Sequence, residues 1–216
     1  MRAIFDQELE QVGDDLLQMS RHVADAIRDA CAALATGDLD LAEQVIAADE
    51  DIDALERVLD ERCVSLLARQ QPVATDLRVI VSALRMSSSI ERMGDLARHI
   101  AQVARLRFPH PAIPESAQTL FIQLAEAAIK VSQDVVELLE SRDLELASAV
   151  ERDDDVLDRL HRQTFQITLA QSWDGTTEQT IDITLLARFF ERFGDHAVSV
   201  ARRMTYLVTG EADRPA

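Results

Sequence analysis

The chain repeats itself. Glu91-Arg92-Met93-Gly94-Asp95 returns as Glu191-Arg192-Phe193-Gly194-Asp195, 100 residues further on, and the apolar pattern around it returns as well. Ala83, Met86, Ile90, Met93, Ala97, Ile100 and Ala104 are spaced by three and four, and so are Ile183, Leu186, Phe190, Phe193, Ala197, Val200 and Met204. That spacing puts one apolar stripe on one face of a helix, and no strand-like alternation is sustained elsewhere. Upstream, Asp38-Leu39-Asp40-Leu41-Ala42-Glu43-Gln44-Val45 matches Asp143-Leu144-Glu145-Leu146-Ala147-Ser148-Ala149-Val150 at an offset of 105. The second copy has therefore lost five residues near the turn that holds Pro72 in the first, in a loop, where deletion costs least. A period near 100 residues excludes short solenoid repeats.

Turn residues cut each copy into three helices. Thr36-Gly37-Asp38, Gln71-Pro72, Phe108-Pro109-His110-Pro111, Ser141-Arg142-Asp143 and Asp174-Gly175-Thr176 supply helix stops and N-caps. The stretches between them, 4–36, 38–70, 74–107, 115–141, 143–172 and 177–208, predict six long helices with short connections. With only 6 Gly and 5 Pro, the fold class is all-α: two tandem three-helix bundles, 1–108 and 109–216, joined by the Pro-rich segment 108–114.

A formal charge of −17 with no Lys/Arg tract argues against direct nucleic-acid binding. Cys31 and Cys63 have neither metal-ligand spacing nor a disulfide-rich setting, and read as small core residues of a reducing compartment. The N-terminal Met1-Arg2-Ala3-Ile4-Phe5-Asp6 leads into acidic residues instead of an apolar leader, and no apolar run reaches membrane-spanning length. The expectation is a cytoplasmic protein that meets the inner face of the membrane only through partners.

Residues four apart on a helix project in the same direction, so each Glu-Arg-x-Gly-Asp presents two carboxylates together. Like charges at that spacing cost a few tenths of a kcal/mol, and a glycine inside a helix costs about 1 kcal/mol relative to Ala. A chain that carries both costs twice uses the position. The second helix of each copy supplies another pair, Asp49/Asp53 and Asp154/Asp158. If the second and third helices pack antiparallel, Asp49, Asp53, Glu91 and Asp95 face one another in one groove, and Asp154, Asp158, Glu191 and Asp195 in the other. Such all-oxygen clusters call for hard cations, which makes Mg²⁺, Mn²⁺, Ca²⁺, Zn²⁺ or iron candidate ligands. The bland reading is a solvated acidic face. Arg92 and Arg192 read as ion-pair partners of these carboxylates.

Enzymatic readings find little support. The P-loop, His-Glu-x-x-His and Gly-x-Ser-x-Gly patterns are all missing from the sequence. Asp158-Arg159-Leu160-His161 resembles half of a di-iron site and His196 follows Asp195, but a ferritin-like oxidase needs two Glu-x-x-His motifs and the chain has none. Trp173, in a turn, reads as a hydrophobic plug.

The duplicated Glu-Arg-x-Gly-Asp, the segment Pro72-Val73-Ala74-Thr75-Asp76-Leu77-Arg78 and the 3+3 helix plan together resemble the PhoU family, accessory proteins of bacterial phosphate-specific transport, over about residues 5–208. In the second copy Ile181-Asp182-Ile183-Thr184 replaces the Asp-Leu-Arg segment, so the resemblance gives Asp182 no role. It implies that Asp49/Asp53, Glu91/Asp95, Asp154/Asp158 and Glu191/Asp195 belong to the family's Glu/Asp-x-x-x-Asp motifs, which hold multinuclear metal clusters. It also implies a non-enzymatic negative regulator of the phosphate-starvation response and of phosphate uptake. The partners so implied are a sensor histidine kinase, the ATPase subunit of the phosphate ABC transporter, and a second copy in a homodimer. Alternatives are a metal-storing or metal-sensing bundle without a signalling role, a carboxylate-bridged redox enzyme and a purely structural adaptor.

Overall fold

Turn chemistry sets the ends of the six helices. In the computed structural model, which describes residues 2–211, these are α1 (Arg2–Thr36), α2 (Leu39–Gln70), α3 (Ala74–Arg107), α4 (Glu115–Ser141), α5 (Leu144–Thr168) and α6 (Thr177–Thr209). Met1 and residues 212–216, the outer ends of the two units read from the sequence, lie outside the described residues. Asp38 caps α2 by accepting from the Leu41 amide at 3.0 Å, and Asp143 caps α5 by accepting from Glu145 at 2.9 Å. Thr176 and Gln179 form a reciprocal capping box at the start of α6. The turn before each Asp cap needs a left-handed residue. The first copy supplies Gly37 (φ 67°) and the second Arg142 (φ 59°), which closes on the Leu138 carbonyl at 2.8 Å.

The predicted boundaries hold within two residues except at the end of α5, where the helix stops at Thr168 instead of 172. No glycine ends it; a tightened last turn does, with Leu169 N–H donating to Phe165 and Ala170 N–H to Ile167. Trp173, just beyond, is half-buried at the edge of the core and donates its indole N–H to Thr180 Oγ1 at 2.9 Å.

Within each half the three helices pack on one another, and the halves meet where α1 packs on α4 and α3 on α6. α2 and α5 are the outer helices. All fourteen stripe residues named above are buried, in one continuous core that spans both halves. Cys31 and Cys63 lie in that core as free thiols, both pushed up to about 12 by burial. α3 and α6 run antiparallel. Arg107 at the end of α3 donates to both carboxylate oxygens of Asp182 near the start of α6, at 2.5 and 3.0 Å. Asp182 is only 4% exposed, so the residue to which the resemblance gives no role carries a forked ion pair between the halves. Among the described residues no helix is long and apolar enough to cross a membrane.

Candidate functional site

The neighbouring helix closes on the glycine inside each Glu-Arg-x-Gly-Asp, tightly at Gly94 and too closely for a side chain at Gly194. A Cβ on Gly94 would stand 3.0 Å from Ile52 Cδ1 and 3.5 Å from Asp49 Oδ1, and one on Gly194 would stand 2.2 Å from Asp154 Oδ1. The glycines thus bring α2 against α3 and α5 against α6, with an aspartate of the outer helix laid over each.

In the first groove the four expected carboxylates do approach one another. Asp49 is buried, and Asp53, Glu91 and Asp95 are half-buried beside it. Burial, countered by Arg98 and reinforced by Asp53 and Asp95, raises Asp49 from 3.8 to about 6. Burial and then Asp95 raise Glu91 to about 7 against the pull of Arg92. Glu56, which the sequence reading missed, belongs to the same groove: burial raises it too, and it adds to the charge felt by Glu91.

Two arginines counter these charges. Arg98 lies with Nε 2.8 Å from Asp49 Oδ2, a charge contact and not an aligned hydrogen bond, and its Nη2 donates to Asp95 Oδ1. Arg92 donates to Asp95 Oδ2 at 2.7 Å and lies 3.4 Å from Glu91 Oε2. The ion pairing expected of Arg92 is present; among the described residues Arg192 forms no such pair in the second groove. Arg98 was signalled only by its i+3 spacing from Asp95.

The second groove has the same plan and fewer partners. Asp154, Asp158 and Glu191 are half-buried and Asp195 is exposed. Burial raises Asp154 from 3.8 to about 7, with Asp195, Asp158, Asp155 and Glu191 pushing the same way. Burial and then Asp195 raise Glu191, against Arg188. Arg188 donates to Glu191 Oε1, and Arg162 reaches Asp158 Oδ2 at 3.4 Å. Asp154 Oδ1 and Glu191 Oε2 are buried with no hydrogen-bond partner. His161 packs on the Phe165 ring at 5.2 Å, and burial lowers both His161 and His196.

Among the described residues no three acidic, histidine or cysteine side chains stand together as a ready ligand set. Holding a cation would draw the carboxylates inward. The second groove suits that step, since two buried carboxylate oxygens there lack any donor; the first already has guanidinium nitrogens against its oxygens.

Comparison with known proteins agrees with this geometry. The family model described as PhoU domain matches twice, over residues 16–104 and 121–204. A relative from Mycobacterium tuberculosis, "Phosphate-specific transport system accessory protein PhoU homolog 2", is 40% identical over 210 residues, covering 97% of this chain and 99% of its own. A homologue from Synechocystis is 31% identical over 98% of this chain and 94% of its own. Among solved structures, PhoU from Pseudomonas aeruginosa superposes with a TM-score of 0.84 at 31% identity, over 96% of this chain and all of that one. The regulatory protein PhoU from Streptococcus pneumoniae shares the fold, at a TM-score of 0.87 and 24% identity over 98% of this chain and all of that one. This chain, with a PhoU domain matched in each helical copy and 40% identity to a relative over 97% of its own length, belongs to the PhoU family.

Proposed function

We propose that this chain is a cytoplasmic negative regulator of the phosphate-starvation response and of phosphate uptake, coupling the ATPase subunit of a phosphate ABC transporter to a sensor histidine kinase. PhoU proteins are non-catalytic regulators of phosphate homeostasis, and this chain is one of them. The observation that carries the finer reading is that likeness to phosphate-transport accessory proteins runs through both copies, over 97% of the chain and 99% of the relative. The architecture suits an adaptor: long helices present extended acidic grooves on one continuous core.

We further propose that the grooves bind metal. The residues that would hold it are Asp154, Asp158, Glu191 and Asp195 in the second copy, where hard cations fit an all-oxygen set; Asp49, Asp53, Glu91 and Asp95 are the corresponding set in the first. A bound cation would offset the burial and the repulsion that raise Asp154 and Glu191, and would make that face a less negative docking surface.

The regulatory reading is tested by deleting the gene and following a phosphate-starvation reporter in phosphate-rich medium. High reporter activity that the restored wild-type chain silences is the expected result. A reporter that stays low in a strain without a second PhoU protein overturns it.

A further inference from the structure

The two copies offer an internal control, because each position in one groove has a counterpart in the other. Two of these pairs differ in charge in opposite senses: Ala97-Arg98-His99-Ile100 stands where the second copy has Ala197-Val198-Ser199-Val200, and Ser88 stands where the second copy has Arg188. Val198 is 7% exposed and brings no charge to its groove.

A divalent cation needs carboxylate lone pairs within about 2.0–2.6 Å. In the first groove four carboxylate oxygens already face a guanidinium. Arg98 faces Asp49 Oδ2 and Asp95 Oδ1, and Arg92 covers Asp95 Oδ2 and approaches Glu91 Oε2. A fixed guanidinium presents five donors in a planar fork and does not lose its charge near neutral pH. In the second groove Glu191 Oε1 and Asp158 Oδ2 meet guanidinium groups, while the buried Asp154 Oδ1 and Glu191 Oε2 have no hydrogen-bond partner among the described residues.

From this difference we infer that the two grooves are not equivalent: Arg98 is a built-in cation that closes the first groove to metal, and this chain binds metal in its second groove alone. The inference rests on the metal-binding reading above, and its test turns on Arg98, the guanidinium that faces both Asp49 and Asp95. Arg98 sets a fixed charge against the buried Asp49, whereas the two partnerless oxygens of the second groove are left to an external cation, so that groove can be filled or emptied.

Mn²⁺ titration of the full chain tests this, with bound manganese measured by elemental analysis after gel filtration and by its paramagnetic resonance signal. In the wild type, Asp154→Asn abolishes bound manganese and Asp49→Asn leaves it unchanged. Arg98→Val, checked for folding by circular dichroism, doubles the manganese content, and Asp49→Asn in that background returns it to the wild-type level. Should Arg98→Val fail to fold, the two aspartate variants decide alone, since both are isosteric. Manganese that survives Asp154→Asn but falls with Asp49→Asn, or is divided between the grooves, overturns the closure by Arg98 and leaves metal binding intact. No manganese in the wild type or in Arg98→Val overturns both, while the reporter experiment still judges the regulatory role.

Discussion

Replacing the two motif glycines by alanine should have unequal effects, and the inequality can be worked from the helix crossings. Each substitution gains about 1 kcal/mol of helix propensity. At Gly94 the new methyl meets Ile52 Cδ1 at 3.0 Å, the far end of a flexible side chain that can give by a few tenths of an ångström. Gain and cost nearly cancel there, so Gly94→Ala should stay within about 1 kcal/mol of wild type. At Gly194 the methyl overlaps Asp154 Oδ1 at 2.2 Å and Leu157 Cδ1 at 2.8 Å. Leu157 is fully buried and that aspartate oxygen is inaccessible, so neither can turn aside without moving α5. An overpacking cost of about 3 kcal/mol, less the propensity gain, leaves Gly194→Ala destabilised by about 2 kcal/mol. Urea unfolding followed by circular dichroism, in chelator, measures both variants with a common slope. Equal midpoints, or a larger loss at Gly94, would refute the argument that the glycines are required by unequal helix approaches.

Three further predictions follow from single contacts. Arg107→Ala leaves the buried Asp182 without its forked partner and should lower the unfolding midpoint clearly more than Arg21→Ala, whose pair with Glu140 is exposed and worth about 0.5 kcal/mol; adding Asp182→Asn should recover part of the loss, and equal midpoints for the two single variants would count against the interdomain pair. Arg142 holds a left-handed conformation that costs a non-glycine residue about 1–2 kcal/mol, so Arg142→Gly should stabilise the chain by about 0.5–1 kcal/mol after glycine's entropy is deducted, and a loss of stability would contradict this. Asp154 and Glu91 are raised to about 7 from 3.8 and 4.5, so the folded chain holds more protons than the unfolded chain between about pH 4 and 7, and metal-free stability should fall as pH rises through that window. Urea midpoints at pH 5 and 7.5 check the sign, and Asp154→Asn should flatten the slope.

Much of the molecule is legible without coordinates because helices are local objects. Apolar spacing of three and four identified the buried faces of α3 and α6, and the Asp and Thr caps placed the starts of α2, α5 and α6, since both signals act within one or two turns. The end of α5 was misread because no glycine or proline marks it, only a tightened turn. The i, i+4 spacing singled out the eight carboxylates as candidates, and the antiparallel packing that joins the pairs was inferred from short connections.

By itself, then, the sequence determined the six helices, the repeat, the acidic pairs and membership of the PhoU family, all of which rest on patterns along the chain. Tertiary structure decided which charges meet. Arg98 turns toward Asp49, 49 positions away, and Arg107 reaches Asp182 across 75; Glu56 joins a groove whose motif does not contain it. Such pairings depend on the rotation and register of one packed helix against another, where a shift of a few ångströms changes every partner. That is why two nearly identical motifs came to lie in one groove where guanidinium groups face four carboxylate oxygens and another that leaves two buried carboxylate oxygens without a hydrogen-bond partner.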